Sequence, residues 1–343
     1  MKAKFNLMAI ITAIFVSCCF ASCNKEYTEY GEVDSEYYTV NLGMGGDILE
    51  VIETPLTRAG ETADLYGIQV YSAPNKELPE GERVTWTRYA YGVFGSDENI
   101  SINLLKGKKY KFEATMIVDG QNKLKKYNAG FSYPFYVSGT NGNFGPIGEL
   151  FNYQHADYLG DLGRGYTYLK DGKSYSHPNV ERFYGELEDF VPGKNNDKAL
   201  IKMKRTSFGA KFIAKGKLAT EGQLEIQMTS APKMMIDLST NDKKVDDIFT
   251  FSDVKKAYQD NDHTETITVT INWHRADGTV FPLGTHDITF KRNKMSTVQV
   301  KIETENAEGE LGLEIDDNDM SDDDDVTNIE DGEIVDTNVD TNA

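Results

Sequence analysis

A pair of glutamates is the first feature of this 343-residue chain whose type and spacing could do chemistry. Glu186 and Glu188 lie two residues apart in a stretch, Asn179 to Phe190, that reads as a β-strand. Alternate strand residues share one face about 7 Å apart, and two carboxylates at such a distance can serve as the acid and the base of glycoside hydrolysis. Acidic residues on the solvent face of a strand are far commoner than catalytic pairs, so we do not expect an enzyme.

The other candidates for catalysis or metal binding lack the required spacing. The five histidines show neither the i, i+4 spacing nor the HExxH pattern of a zinc site; they are His155, His177, His263, His274 and His286. No GxSxG motif occurs. Gly172, Lys173 and Ser174 imitate the end of a phosphate loop, but its first glycine would fall at Thr167, and a hairpin turn explains these residues better. We expect neither a cofactor nor a metal.

The N-terminal residues 1–22 have the pattern of a secretory signal peptide. Lys2 and Lys4 give a positively charged start, and an apolar stretch runs from Phe5 to Phe20. No later segment approaches the ~20 apolar residues that a membrane-spanning helix needs. The sequence therefore predicts export.

Cys23 carries the clearest chemical prediction. The small residues Ala21 and Ser22 before it resemble the lipobox of bacterial lipoproteins. That resemblance implies that Cys23 is diacylated, with palmitate-type chains, and becomes the mature N-terminus. The alternative is an ordinary signal peptide cut near Ala21. Lipidation is favoured because Cys18 and Cys19 leave with the signal, so Cys23 has no disulfide partner in the mature chain.

The net charge of −19 is concentrated at the C-terminus. Residues 308–343 hold fifteen acidic residues and no Lys or Arg, so the remainder is only mildly acidic. A nucleic-acid partner would require a basic surface, and we expect none. This C-terminal segment cannot bury enough apolar surface to offset the conformational entropy lost on folding. Residues 306–343 are therefore predicted to be a disordered acidic tail. Asp316 to Asp325 lacks the spacing of an EF-hand calcium loop.

Alternating apolar residues begin at Glu36, after a polar tether at 23–35. Tyr38 to Leu42 and Ile48 to Ile52 read as a hairpin with its turn at Gly43 to Asp47. Further short strands follow, and Asp-Gly pairs at 119–120 and 171–172 indicate hairpin turns. The stretch Gly139 to Leu169 reads as a long loop with one short helix around Leu150.

The break at Val191 to Asp197 predicts a boundary between an N-terminal domain at 36–192 and a C-terminal domain at 193–305. Strands then restart, and Thr266 to Trp273 alternates cleanly. A helix is predicted near Ser252 to Gln259, with Ser252 as its cap. Regular short strands without helical crossovers predict an all-β chain of two sandwich or barrel domains.

Several stretches taken in order resemble the fimbrillin family, whose members are precursor lipoproteins that build or anchor fimbriae on some anaerobic Gram-negative bacteria. After the lipobox and early hairpin come PLTRAG, DLYGIQVY, RFYGELEDF, KMKRTSFGAKF and ITFKRNKMSTVQVKI, which begin at 55, 64, 182, 202 and 288. The resemblance covers most of Glu36 to Glu303. It implies two tandem transthyretin-like β-sandwich domains, an outer-membrane location and assembly with other fimbrial subunits by strand exchange.

The resemblance also implies a processing site. In polymerising fimbrillins an arginine-specific protease cuts a loop, and Arg58, followed by Ala59 between Pro and Gly residues, matches that position. The alternative is an ordinary loop arginine in an anchor protein that is never cut. In this family the donated strand comes from the C-terminal end of the chain. Here that end has only Leu311, Leu313 and Ile315 in alternation before acidic residues. A terminal subunit or a solitary adhesin is therefore favoured over a polymerising stalk subunit.

We therefore expect a non-enzymatic, surface-exposed outer-membrane lipoprotein that acts as a fimbrial subunit, tip or anchor, with a host or glycan ligand as a further partner. The alternative is a glycan-binding surface lipoprotein of a nutrient-uptake system. Such a protein would bind glycan on a platform of exposed aromatic residues, formed by Trp86, Tyr89 and Tyr91 or by the region Phe144 to Tyr153. The simpler role of all these aromatic residues is core packing.

Overall fold

A computed structural model describes residues 36–47, 63–128, 130–139, 143–217, 220–302 and 313–320. Contacts divide the chain into two units, Met1–Tyr37 and Tyr38–Ala343. The features below belong to the second unit. Cys23, Arg58, Ala59 and the predicted strand Ile48 to Ile52 lie outside the described residues.

The described residues form twenty-one strands and two short helices. The strands of the first half are β1 (Tyr37–Gly46), β2 (Leu65–Pro74), β3 (Thr87–Phe94), β4 (Ser101–Leu105), β5 (Lys108–Ile117), β6 (Lys126–Tyr127), β7 (Gly130–Ser138), β8 (Asn143–Pro146), β9 (Tyr158–Leu159), β10 (Thr167–Tyr168), β11 (Ser174–Tyr175) and β12 (Arg182–Phe190). Those of the second half are β13 (Lys198–Arg205), β14 (Ser207–Lys215), β15 (Gln223–Met228), β16 (Met234–Asp237), β17 (Lys244–Thr250), β18 (Thr264–His274), β19 (Val280–Lys291), β20 (Lys294–Lys301) and β21 (Leu313–Asp319). The helices are α1 (Gly120–Lys123) and α2 (Val254–Gln259). The predicted all-β class is confirmed.

The first sheet has seven strands in the order β3-β2-β5-β12-β13-β1-β4. Residues from all seven strands meet in one apolar cluster, so the sheet folds over its own core. β2 is buried along almost its whole length, because Tyr66, Ile68 and Val70 face that core while Leu65 faces a second cluster. A strand covered on both faces is apolar on both. A polar exception inside β2 is the buried Gln69, whose side-chain amide donates to the Ala90 carbonyl at 3.1 Å.

Two four-stranded sheets form a sandwich in the second half of the chain. Their orders are β17-β14-β20-β21 and β16-β15-β18-β19, and both contribute to one core. The predicted alternation is confirmed, since Ile267, Val269, Ile271 and Trp273 are all buried in it. Alternate burial of this kind is what a strand with one solvated face requires.

A smaller four-stranded sheet joins β6, β7 and β8 in order, with β9 also paired to β7, and the hairpin of β10 and β11 accompanies it. Phe131, Phe135 and Val137 of β7 pack with Leu65 and Ile117 of the first sheet. The hairpin confirms the turn predicted at Asp171-Gly172, where Gly172 has a φ of 83°. The small sheet therefore covers one face of the first.

Three local predictions were wrong. Gly43 to Gly46 do not turn but continue β1, because Met44 is buried and pairs with Ile201. Asp119-Gly120 opens α1 instead of a hairpin. No helix forms around Leu150, which is 77% exposed in a bend and has no apolar face to pack.

The predicted helix near Ser252 is confirmed as α2, although its cap is the next residue. The Asp253 carboxylate accepts a hydrogen bond from the Lys256 backbone N–H at 2.9 Å, as an N-cap should. The Ser252 hydroxyl instead donates to Glu265 at 2.7 Å. Among the described residues, no helix is both long and apolar enough to cross a membrane.

The pairing of two strands bears on the predicted domain limits. β13 lies in the first sheet, between β12 and β1, so the backbone passes to the second-half sandwich after Arg205 rather than at Val191 to Asp197. The expectation of disorder from residue 306 is wrong for Leu313–Asp319, which pair with β20 as β21. The division into two domains stays a prediction.

Candidate functional site

The strand β1 lies between β13 and β4, and we call this position the β1 seat. Asn41–Gly46 run parallel to Lys198–Met203 in register. On the other side, the Leu42 backbone N–H donates to the Ile100 carbonyl at 2.8 Å. A segment from near the N-terminus thus fills an inner position of the sheet.

Side chains of β1 alternate between the core and a close neighbour outside it. Val40, Leu42 and Met44 are buried in the core of the first sheet. Gly43 and Gly45 leave space for Leu200 of β13, since a Cβ at Gly45 would lie 3.1 Å from the Leu200 Cδ1. Both faces of β1 are therefore shaped to the seat.

The burial on β1 can be converted to an approximate energy. Full burial of one Val, Leu or Met side chain contributes about 1.5–3 kcal/mol, so the three residues together contribute about 5–9 kcal/mol. A whole domain is stable by only about 5–15 kcal/mol. An empty seat would also leave the backbone edges of β13 and β4 unpaired. We infer that the first sheet needs a strand in this seat.

The end of β1 is held by a polar contact that sequence reasoning missed. The Asp47 carboxylate accepts from the Arg205 backbone N–H at 3.1 Å and from the Arg292 guanidinium at 3.3 Å. Arg292 follows β19 of the second-half sandwich and also donates to the Arg205 carbonyl at 2.9 Å. These residues are far apart in sequence, so only the folded chain brings them together.

Gly46 makes this turn into Asp47 possible. Its φ of 80° lies in the left-handed region, and a Cβ there would stand 2.4 Å from the Met203 carbonyl oxygen. The Asp47 backbone N–H donates to that same carbonyl at 2.9 Å. The sequence signal for this site is Gly46-Asp47 itself, which as a local pattern predicts a hairpin turn.

β21 is the outermost strand of its sheet among the described residues. Its Asp317 accepts a hydrogen bond from the Ser296 hydroxyl at 2.6 Å and pairs with the Lys291 ammonium at 3.2 Å. Acidic side chains on an edge strand discourage further pairing by other chains. The C-terminal acidic segment therefore begins as an edge strand of this protein's own sheet.

The predicted carboxylate pair lies in a network of cations. Lys111 contacts Glu188 at 2.8 Å, while Lys255 and the Tyr184 hydroxyl each lie 2.6 Å from Glu186. Burial alone would raise the pKa of Glu186, but these hydrogen bonds and the lysine charges hold it below its usual range. A general acid needs a raised pKa, so the geometry gives this pair the character of a structural ion network.

His177 is held by a carbonyl and a carboxylate rather than by another histidine. His177 is buried, and its imidazole contacts the Thr229 carbonyl and the Glu265 carboxylate at 3.0 Å each. Burial would raise the pKa of Glu265, but hydrogen bonds from His177 and Ser252 lower it to about 2. Within the described residues, no group of three or more His, Cys, Asp or Glu could hold a metal.

Of the two regions predicted as an aromatic platform, the one at Trp86, Tyr89 and Tyr91 is not flat. Tyr89 is buried edge-to-face against Tyr110 and Tyr153, and its hydroxyl donates to the Asn103 carbonyl. Trp86 lies outside β3, near Lys109, at 5.7 Å from ring centroid to ammonium. These residues do not form one flat surface.

Comparison with known proteins finds similarity among solved structures. A candidate cell adhesion protein from Bacteroides eggerthii matches with a TM-score of 0.37 and 12% identity over 84% of this chain and 98% of that one. The fimbrial anchor protein Mfa2 from Porphyromonas gingivalis matches with a TM-score of 0.33 and 11% identity over 82% and 98%. The tip fimbrial protein Mfa3 from the same organism matches with 0.28 and 10% over 75% and 98%. No family model matches the sequence, and no curated protein matches it significantly.

Proposed function

We propose that this chain is a surface-exposed outer-membrane lipoprotein of fimbrillin type, anchored through lipid on Cys23, which acts in fimbrial assembly or adhesion. The observation that best supports the proposal is the position of β1. It lies between Cys23 and Arg58 in sequence and in an inner position of the first sheet in space. One segment therefore links membrane attachment to completion of the sheet.

This arrangement gives proteolysis after Arg58 a structural consequence. The cut would break the covalent link between β1 and the rest of the chain. The buried side chains of Val40, Leu42 and Met44 would still hold β1 in the first sheet. Once β1 left, the edges of β13 and β4 would accept a strand from another subunit, because unpaired backbone groups and an apolar groove favour strand addition. Strand exchange with other fimbrial subunits is the partner interaction that we propose.

The C-terminal end favours a terminal position in a fimbrium over a stalk position. β21 pairs with β20, and its Asp317 is engaged by Ser296 and Lys291. Donation of this segment to a neighbour would break those contacts. A tip, an anchor or a solitary adhesin needs no such donation. The proposal agrees in kind with the adhesin and fimbrial proteins named above, but it stands on the β1 seat.

Mass analysis of the protein released from intact cells tests the proposal. A mature N-terminus at diacylated Cys23 supports an anchored protein, and one at Ala59 supports processing before assembly. The variant Arg58→Ala should abolish the Ala59 start. Arg83→Ala is the matched control, since Arg83 is an exposed arginine in the loop between β2 and β3. A start near Ala21 without lipid, or a protein that stays inaccessible to protease on intact cells, would refute the proposal.

A further inference from the structure

Six aromatic rings form a continuous surface strip on the small sheet, away from the β1 seat. Each ring contacts the next, and all six are partly exposed; in order they are Tyr168, Tyr166, Tyr133, Tyr136, Phe144 and Tyr127. The ring centroids of successive members lie 4.0–5.9 Å apart. We call this set the aromatic strip. It comes from β6, β7, β8 and the hairpin of β10, whose sequences are not contiguous.

Successive rings of the strip meet either edge-to-face, in three contacts, or stacked, in two. Tyr133 and Tyr136 stack with an interplanar angle of 26°, and Tyr166 meets Tyr133 edge-to-face at 72°. Such geometries satisfy the ring quadrupoles among themselves. Tyr166 remains 39% exposed in the described protein, which is high for so large a side chain with a ring on each side. Each of the six rings keeps part of its surface exposed to solvent.

The backbone beneath Tyr166 is fixed by a fully buried arginine. The Arg182 guanidinium donates to the carbonyls of Leu162 and Arg164, at 2.8 and 2.7 Å, and to the Thr115 hydroxyl at 2.9 Å. Gly165 follows directly, with its backbone N–H donating to the Ser252 carbonyl at 3.0 Å. Because the loop is already ordered before a ligand binds, binding at the strip carries little entropic cost of ordering the loop.

The polar groups of the strip favour one class of ligand. Five of the six side chains are tyrosines, and the Tyr166 hydroxyl already accepts hydrogen bonds from Ser174 and Tyr168. A purely hydrocarbon partner would bury the hydroxyls of Tyr127, Tyr133 and Tyr136 without hydrogen-bond partners, and a buried unpaired polar group is destabilising. A polyanion such as nucleic acid would need several cations along the strip, whereas among the described residues the cation that contacts its rings is Lys125, 4.8 Å from the Tyr127 ring centroid.

We infer that the aromatic strip is a binding site for a neutral polysaccharide. Each sugar ring has an apolar C–H face, whose weakly positive hydrogens suit the negative face of an aromatic ring, and hydroxyls around its rim that can pair with tyrosine hydroxyls. A run of rings matches a run of sugar units. The inference goes beyond the proposed assembly function and does not depend on it.

Affinity electrophoresis of the mature chain tests the inference. The native gels contain a soluble β-glucan, α-mannan, xylan or galactan, and retardation is measured against polysaccharide concentration. At least one of the four is expected to retard the wild type. Tyr133→Ala and Tyr166→Ala should each weaken binding about tenfold or more, and Tyr166→Phe by a few-fold because it keeps the ring. Phe281→Ala, at a partly exposed aromatic residue of β19 outside the strip, is the matched aromatic control and should bind as the wild type does.

Three results would overturn the inference. The first is that none of the four polysaccharides retards the wild type. The second is that the double variant Tyr133→Ala with Tyr166→Ala binds unchanged while its circular dichroism and melting temperature match the wild type. The third is displacement by a proline-rich peptide that binds the strip as tightly, because aromatic-lined grooves also dock such peptides.

Discussion

Truncation of Leu42 to alanine should loosen β1 from the first sheet more than any exposed change nearby. Leu42 is 4% exposed and lies at the middle of the three core positions of β1. Leucine-to-alanine changes in cores cost about 2–5 kcal/mol, because the lost transfer energy adds to that of the cavity. Neighbouring Ile201 and Met203 are held in paired strands, so they can fill the space only in part. We expect a loss of about 3 kcal/mol.

Urea unfolding of the mature chain measures this loss, with Leu150→Ala as the matched control. Leu150 is the same residue type, lies outside β1 and the two strands beside it and is 77% exposed, so its truncation should cost less than about 1 kcal/mol. In protein cut after Arg58, Leu42→Ala should also weaken rebinding of the 36–47 segment by about a hundredfold, the equivalent of about 2.8 kcal/mol. Equal losses from both variants would refute the account of the seat.

Three further predictions concern the polar and backbone features of the fold. Asp47→Asn should cost about 1–2 kcal/mol, and a double-mutant cycle with Arg292→Gln should show a coupling of at least about 0.5 kcal/mol; independent losses would contradict the contact. Burial alone would raise the pKa of Glu265, but hydrogen bonds from His177 and Ser252 lower it to about 2 from its ordinary 4.5, so the stability that this carboxylate contributes is present above pH 4.5 and is lost as the pH falls towards 2. Glu265→Gln should flatten the stability curve in that window, and an unchanged curve measured by acid titration of unfolding would count against it. Gly46→Ala should destabilise by more than Gly81→Ala in thermal unfolding, because both have positive φ but only Gly46 faces a carbonyl at 2.4 Å from a new Cβ.

Strand periodicity explains most of what the sequence could predict. Ile267, Val269, Ile271 and Trp273 alternate because one face of β18 is buried, and such a period is readable without knowing the partner strands. α2 was readable because a capping side chain precedes a helical spacing of apolar residues. Local patterns of this kind depend only on near neighbours.

The glycines of β1 show where local reading fails. Gly43 to Gly46 suggested a turn, because glycine is the usual residue of turns. In the folded protein Gly45 gives room to Leu200, and Gly46 approaches the Met203 carbonyl. Both reasons lie in a strand far away in sequence, so only the tertiary structure reveals them.

The aromatic strip and β21 were missed for a related reason. Tyr127, Tyr133 and Tyr166 belong to separate segments that the small sheet and its hairpin bring together. The acidic composition of β21 favours disorder as a sequence pattern. In the fold, Ile315 pairs with Val298, and Asp317 accepts a hydrogen bond from the Ser296 hydroxyl. Composition cannot show that a charged segment has partners on a neighbouring strand.

Hydrogen exchange of the mature protein tests the central claim most directly, because it reports whether β1 is part of the first sheet in solution. The amides of Asn41 and Leu42 donate to the Asp197 and Ile100 carbonyls, at 2.8 Å each. Mass spectrometry should find a peptide covering residues 38–46 protected to the same degree as one from β13. Exchange of residues 38–46 at the rate of an unstructured peptide, while β13 stays protected, would contradict the claim.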